Sequence, residues 1–211
     1  VEKFKCNGAI LETGKSFTIT ADGESIGSKS TCTLTTPEII KDLEVGEDVF
    51  IDDGNIKLTI ESKGSNSIQC NITQGGKISS HKGVNLPDSN ISVSALTEKD
   101  RDDIKTATEY GVDYIALSFV SKPKDVLELR SVIDSYGRPD IGIISKIERR
   151  SAVENLTKII EVSDAVMVAR GDLGVEIGLE KVPEIQKRII RESNRQITPV
   201  IVATQMLESM V

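Results

Sequence analysis

Histidine is nearly absent. His81 is the single one among 211 residues, which excludes multi-histidine metal sites and leaves a Ser-His-Asp triad resting on one loop residue. Cysteine is scarce as well. Cys6, Cys32 and Cys70 are odd in number and no pair has metal-ligand spacing, so free thiols in a reducing cytoplasm are expected. No apolar run approaches the ~20 residues that cross a bilayer, and no basic, apolar, small-residue leader opens the chain. No membrane association and no secretion are therefore expected. Positive charge is in the minority: 26 Lys and Arg face 33 Asp and Glu, a net charge of −7. A nucleic-acid partner is not expected from such a surface. An anionic ligand would need a local answer, from a metal, a lysine or backbone N–H groups. An initiator Met is missing too. The abrupt ends at Val1 and Val211 lead us to expect a piece of a longer protein.

What is present falls into two rhythms. To about Lys82 the pattern is that of β-structure. Ser16-Phe17-Thr18-Ile19-Thr20 alternates polar and apolar, and Ser30 to Thr35 does so less cleanly. Val49-Phe50-Ile51 and Ile56-Lys57-Leu58-Thr59-Ile60 flank Asp52-Asp53-Gly54-Asn55, a hairpin signal because Asp-Gly accepts positive φ. Ser67 to Ile72 alternates again before Gly75-Gly76. Short strands at this spacing predict a small β-barrel or sandwich.

The second part alternates helices and continuous apolar strands. Thr97 with Asp100 predicts a capped helix to Tyr110, ended by Gly111. A strand is expected over 114–120, a helix over 123–136 closed by Gly137, a strand over 141–148 and a helix over 151–162. A strand over 165–169, a helix over 182–196 and a strand over 199–204 follow. Such strands belong to a parallel sheet covered by helices. Four of them do not close a barrel, so the sheet is either open and doubly wound or part of an eight-stranded barrel. In both designs chemistry sits at the C-terminal strand ends.

Those ends are polar. Ile143-Ile144-Ser145-Lys146-Ile147-Glu148 places Lys146 and Glu148 on one face by alternation. A surface ion pair is the plainer account. The next strand runs into Ala169-Arg170-Gly171-Asp172-Leu173-Gly174. With neighbouring strands ~5 Å apart, Glu148 and Asp172 can approach one ion, and two carboxylates plus substrate oxygens and water suit magnesium. Gly171 would let backbone N–H groups approach an anion; a tight turn with Asp as a cap is the alternative. Thr204 ends a further strand and Ser118 an earlier one. Lys146 as a point charge and a cation as template fit phosphoryl transfer, and equally an enolate beside a carboxylate.

These segments resemble pyruvate kinase over nearly the whole chain. Lys82-Gly83-Val84-Asn85-Leu86-Pro87 is similar to the segment that rejoins the family's lid to its barrel, although Asp88 stands where the family commonly has Gly. Ile144 to Glu148, Met167 to Gly174 and Ala203-Thr204-Gln205-Met206-Leu207-Glu208-Ser209-Met210 resemble three more family signatures. The resemblance implies an α/β fold, a partial (β/α)8 TIM barrel over 83–211 with an inserted small all-β barrel lid domain over 1–82. It implies transfer of a phosphoryl group from phosphoenolpyruvate to ADP, giving pyruvate and ATP. Lys146 would stabilise the phosphoryl group and the enolate. Glu148 and Asp172 would hold Mg2+ or Mn2+, and the N–H groups of Gly171 and Asp172 the substrate carboxylate. Thr204 would help protonate the enolate, Ser118 and Phe119 would line the site, Lys82 would lie near the nucleotide phosphates, and Asp53 would be a lid contact. The K+ ligands would lie in N-terminal barrel strands outside this chain, and a cytoplasmic homotetramer would be the whole protein. Two rivals remain at this point: a metal-dependent aldolase or lyase of the enolate-forming barrels, and a non-catalytic β-module on a scaffold.

Overall fold

The computed structural model describes residues 1–4, 8–22, 26–89, 91 and 96–203. Two compact units divide the chain, Val1–Val93 and Ser94–Val211.

In the first unit the strands are β1 (Ala9–Leu11), β2 (Ser16–Thr20), β3 (Thr31–Thr33), β4 (Asp48–Ile51), β5 (Ile56–Lys63), β6 (Ser67–Gln74), β7 (Gly76–Ile78) and β8 (Val84–Asn85), with a 3-10 helix at Pro37–Asp42. Six of them form one sheet in the order β3-β2-β6-β5-β4-β8, and β1 pairs with β7. Period-two alternation decides which face is inside. Ile56, Leu58 and Ile60 of β5, Ile68, Cys70 and Ile72 of β6, and Phe17 and Ile19 of β2 are all buried in one core with Val49 and Ile51. Asp52, Asp53 and Gly54 turn β4 into β5 with φ of 58°, 54° and 83°. Asp tolerates this left-handed region better than most side chains, and the Asn55 N–H closes the turn on Asp52 O at 3.0 Å. β8 pairs with β4 (Phe50 with Asn85, Ile51 with Val84) and Leu86 joins the same core, so this unit continues beyond Lys82. Cys32 and Cys70 are free thiols, and burial pushes both up to about 12, so they stay protonated at neutral pH. Cys6 lies outside the described residues.

In the second unit α1 (Glu98–Tyr110), β9 (Tyr114–Leu117), α2 (Pro123–Ser135), β10 (Gly142–Ile147), α3 (Arg150–Glu154), α4 (Leu156–Glu161), β11 (Ala165–Val168), α5 (Arg170–Ile177), α6 (Val182–Arg195) and β12 (Val200–Val202) follow in order. The four strands form a parallel sheet in sequential order, the mixed α/β arrangement expected. Local chemistry sets the helix ends. Thr97 and Asp100 form the capping box of α1, and Gly111 closes it at φ 72°. Asp125 accepts the Ser121 and Lys122 N–H groups at 2.8 and 3.0 Å ahead of Pro123.

Three expectations change in detail. The helix expected over 151–162 is two helices, because Asn155 Nδ2 donates to Ser151 O at 3.0 Å and to Ser121 O at 3.1 Å, and so joins the break to the preceding loop. Strand β9 stops at Leu117, not at residue 120, because Phe119 turns the chain at φ 57°. Residues 170–177 are helical, where no helix was expected between the strand over 165–169 and the helix over 182–196.

Register sorts the sheet into two faces. Leu117, Ser145 and Val166 make one buried row, and Ile147 and Val168 another, both beneath helices. On the opposite face Lys146, Met167 and Ile201 lie side by side, less covered towards β12.

Candidate active site

The strand β10 delivers Lys146 and then, one residue past its end, Glu148. Lys146 Nζ donates to Ser118 Oγ at 2.8 Å and lies 2.5 Å from Glu148 Oε1. Ser118 is the first residue after β9, the strand beside β10. Glu148 is 1% exposed. Its Oε2 accepts the Phe119 N–H at 2.7 Å. Its Oε1 is buried and meets Lys146 as a charge contact without hydrogen-bond geometry.

That oxygen bears on a cation. The Glu148 carboxylate, 1% exposed, needs a positive partner, which the Lys146 ammonium supplies here. A hard divalent ion bound by oxygen would satisfy it. Among the described residues no three His, Cys, Asp or Glu side chains cluster as a metal-binding group. A cation here would take its remaining ligands from substrate and water. The donor set therefore fits Mg2+ or Mn2+ in kind.

Phe119 contributes through its backbone. A bulky residue at φ 57° carries about 1–2 kcal/mol of steric cost, and Phe119 is 53% exposed, so burial offsets little of it. The left-handed turn accompanies an N–H directed at Glu148. Phe119→Gly should therefore raise unfolding stability by about 1 kcal/mol, read from urea midpoints; a lower midpoint would show that the ring's contacts outweigh the strain.

The next strand, β11, is in register with β10, Ile147 opposite Val168, and Ala169 N–H bonds Ile147 O at 3.3 Å. The chain passes directly into α5. Its first i→i−4 bond is Leu173 N–H to Ala169 O at 3.0 Å, so the N–H groups of Arg170, Gly171 and Asp172 precede the helical ladder. Asp172 is half-buried in this first turn. Arg170 donates to Ala203 O beyond β12.

Lys146, Glu148, Ser118 and the Phe119 backbone thus meet directly, with Gly171 and Asp172 one strand across. Thr204 lies outside the described residues. Lys82 belongs to the first unit, where its Nζ is 2.7 Å from Asp52 Oδ1. That hydrogen bond holds the Lys82 ammonium above its usual range and the Asp52 carboxyl below its own. The sequence reading missed the Phe119 N–H, for which no side-chain pattern exists. It also missed Glu176, whose signal was a lone acid among the apolar residues of Leu173-Gly174-Val175-Glu176-Ile177.

A family model described as pyruvate kinase, barrel domain, matches residues 3–211. A pyruvate kinase of Clostridium perfringens (strain 13 / Type A) is 45% identical over 208 residues, which are 99% of this chain and 44% of that protein. A pyruvate kinase of Thermotoga maritima is 43% identical over 201 residues, 95% of this chain and 43% of that one. A crystal structure of a pyruvate kinase from Cryptosporidium parvum superposes with a TM-score of 0.89 at 35% identity, covering 99% of this chain and 44% of its own. The chain spans less than half the length of these relatives.

Proposed function

We propose, from the premise that this chain belongs to the pyruvate kinase family, that it carries the phosphoryl-transfer site of an enzyme acting on phosphoenolpyruvate and ADP. The observation that carries the reading is Lys146, held between Ser118 Oγ and the buried Glu148 carboxylate at a strand end. In the reaction the bond between phosphorus and the enol oxygen of phosphoenolpyruvate breaks, and a β-phosphate oxygen of ADP takes the phosphoryl group. The enolate left behind gains a proton at its methylene carbon and becomes pyruvate.

Each residue has a task in that sequence. The Lys146 ammonium neutralises charge on the transferring group and then on the enolate oxygen. Glu148 and Asp172 are the carboxylates that would hold Mg2+ or Mn2+, which when bound supplies charge neutralisation and a template for substrate. The N–H groups of Gly171 and Asp172, ahead of the helical ladder, would bind the substrate carboxylate. Ser118 orients Lys146, and the Phe119 ring would line the site. Thr204 would pass the proton to the enolate through water. Lys82, with the Asp52 contact exchanged for phosphate, would meet the nucleotide.

The rest of the reading follows the family. The second unit, Ser94–Val211, would be part of an eight-stranded barrel and the first, Val1–Val93, a small β-barrel lid that runs past the Lys82 boundary expected from the sequence. K+ would be bound by residues outside this chain, and the whole protein would work as a cytoplasmic homotetramer. No helix among the described residues is long and apolar enough to cross a membrane.

The test is pyruvate formation by the full-length protein, given phosphoenolpyruvate and ADP and followed through lactate dehydrogenase. Turnover on the order of 1–1,000 per second is expected, abolished by EDTA. Absence of pyruvate under those conditions, with cleavage of a pyruvate aldol adduct instead, would move the assignment to the lyases.

A further inference from the structure

Glu176 is a buried carboxylate, 4% exposed, that the reaction just described does not use. It stands four residues after Asp172 on α5, so the two share one face of the helix, about 6 Å apart along its axis. Its Oε2 accepts the Arg150 main-chain N–H at 3.4 Å. The Arg150 guanidinium reaches back and donates through Nη2 to Glu176 O at 3.1 Å. Arg150 opens α3, two residues after Glu148, and α3 packs on α5.

A short path results. It runs from Glu148 through Arg149 to Arg150, across two hydrogen bonds to Glu176, and back one helical turn to Asp172. Apolar packing alone would be served better by Leu or Met at position 176, since a carboxylate loses its hydration on burial. The acceptor oxygen at 176 is therefore tied to what it holds.

We propose that Glu176 is a positioning residue: with Arg150 it braces the start of α5 against the exit of β10 and so sets the separation of Glu148 and Asp172 for a shared divalent cation. This rests on the reading of those two carboxylates as metal ligands. Supporting groups behind metal ligands change affinity by about 10- to 100-fold when removed.

The test is Mn2+ alone, titrated into the full-length protein and followed by electron paramagnetic resonance, with thermal melts in parallel. Glu176→Ala should raise the Mn2+ dissociation constant by about 10- to 100-fold. Glu176→Gln should retain most of the affinity, because its amide oxygen still accepts the Arg150 N–H. Arg150→Ala, at an exposed position, should weaken Mn2+ binding by losing the guanidinium contact, and it carries the test should Glu176→Ala fail to fold. Wild-type Mn2+ affinity in a folded Glu176→Ala, or in Arg150→Ala, would overturn the brace, and a lowered melting point alone would mark an ordinary structural contact. Asp172→Asn separates the two levels. If it abolishes Mn2+ binding while Glu176→Ala does not weaken it, only the brace fails. If Asp172→Asn also binds Mn2+ normally, the metal reading falls and the brace with it.

Discussion

Lys146→Met in the full-length protein should lower kcat for pyruvate formation by about 100- to 1,000-fold, the effect of removing one preorganised donor from developing negative charge. The loss should fall on kcat more than on KM for phosphoenolpyruvate, because charge on the enolate oxygen appears only as the phosphoryl group leaves. The same substitution tests the resting site. Glu148 is 1% exposed and Lys146 Nζ lies 2.5 Å from its Oε1. Methionine would leave that buried charge uncompensated, a loss of about 3–5 kcal/mol. The lowered unfolding midpoint should be visible in EDTA, where no cation takes over the carboxylate. Adding Glu148→Gln removes the stranded charge and should restore stability without restoring turnover. Wild-type kcat in Lys146→Met would leave the scaffold reading ahead.

The parts of this structure that were legible in the sequence are those decided within a few residues. Thr97 with Asp100 and Gly111 bound α1 through chemistry readable at four positions. Asp52 to Gly54 turn β4 into β5 because those residue types tolerate positive φ. Apolar runs at 141–148 and 165–169 became adjacent parallel strands, since a strand apolar on both faces must be covered on both. What was not legible depends on distant partners. β8 is two residues long and exists because Phe50 and Ile51 of β4 offer it hydrogen bonds. Helix α5 contains Gly171 and Gly174, each costing about 1 kcal/mol of helix propensity, and forms through the packing of Leu173 and Ile177 into the core.

The candidate site divides along the same line. Lys146 and Glu148 meet as their two-residue spacing indicated, and Ser118 joins them from the neighbouring strand. The Phe119 contribution was hidden because it is made by a main-chain N–H in a conformation that a Phe rarely adopts. Glu176 and Arg150 were hidden because 26 residues separate them and only the packing of α3 on α5 brings them together.

The 211 residues expressed alone should form no pyruvate. The sheet that carries Lys146 runs β9-β10-β11-β12, so β9 and β12 each have one paired edge and one unpaired edge among the described residues. Their burial departs from that of the inner strands. On the helix-covered face Val202 of β12 is 37% exposed, whereas Val168, its neighbour on β11, is fully buried. Parallel sheets are otherwise covered on both faces, and an open edge with apolar side chains templates association with other chains. The row Lys146, Met167 and Ile201 lies on the less covered face, so the lysine would work next to water in this chain alone. Water raises the effective dielectric and weakens its hold on a phosphoryl oxygen several-fold. Light scattering on the isolated chain should therefore show concentration-dependent assembly, and a coupled assay should stay at the background rate while the full-length protein turns over. A monomeric 211-residue chain that releases pyruvate would show that β9 to β12 suffice for the chemistry and that the open face needs no further strands.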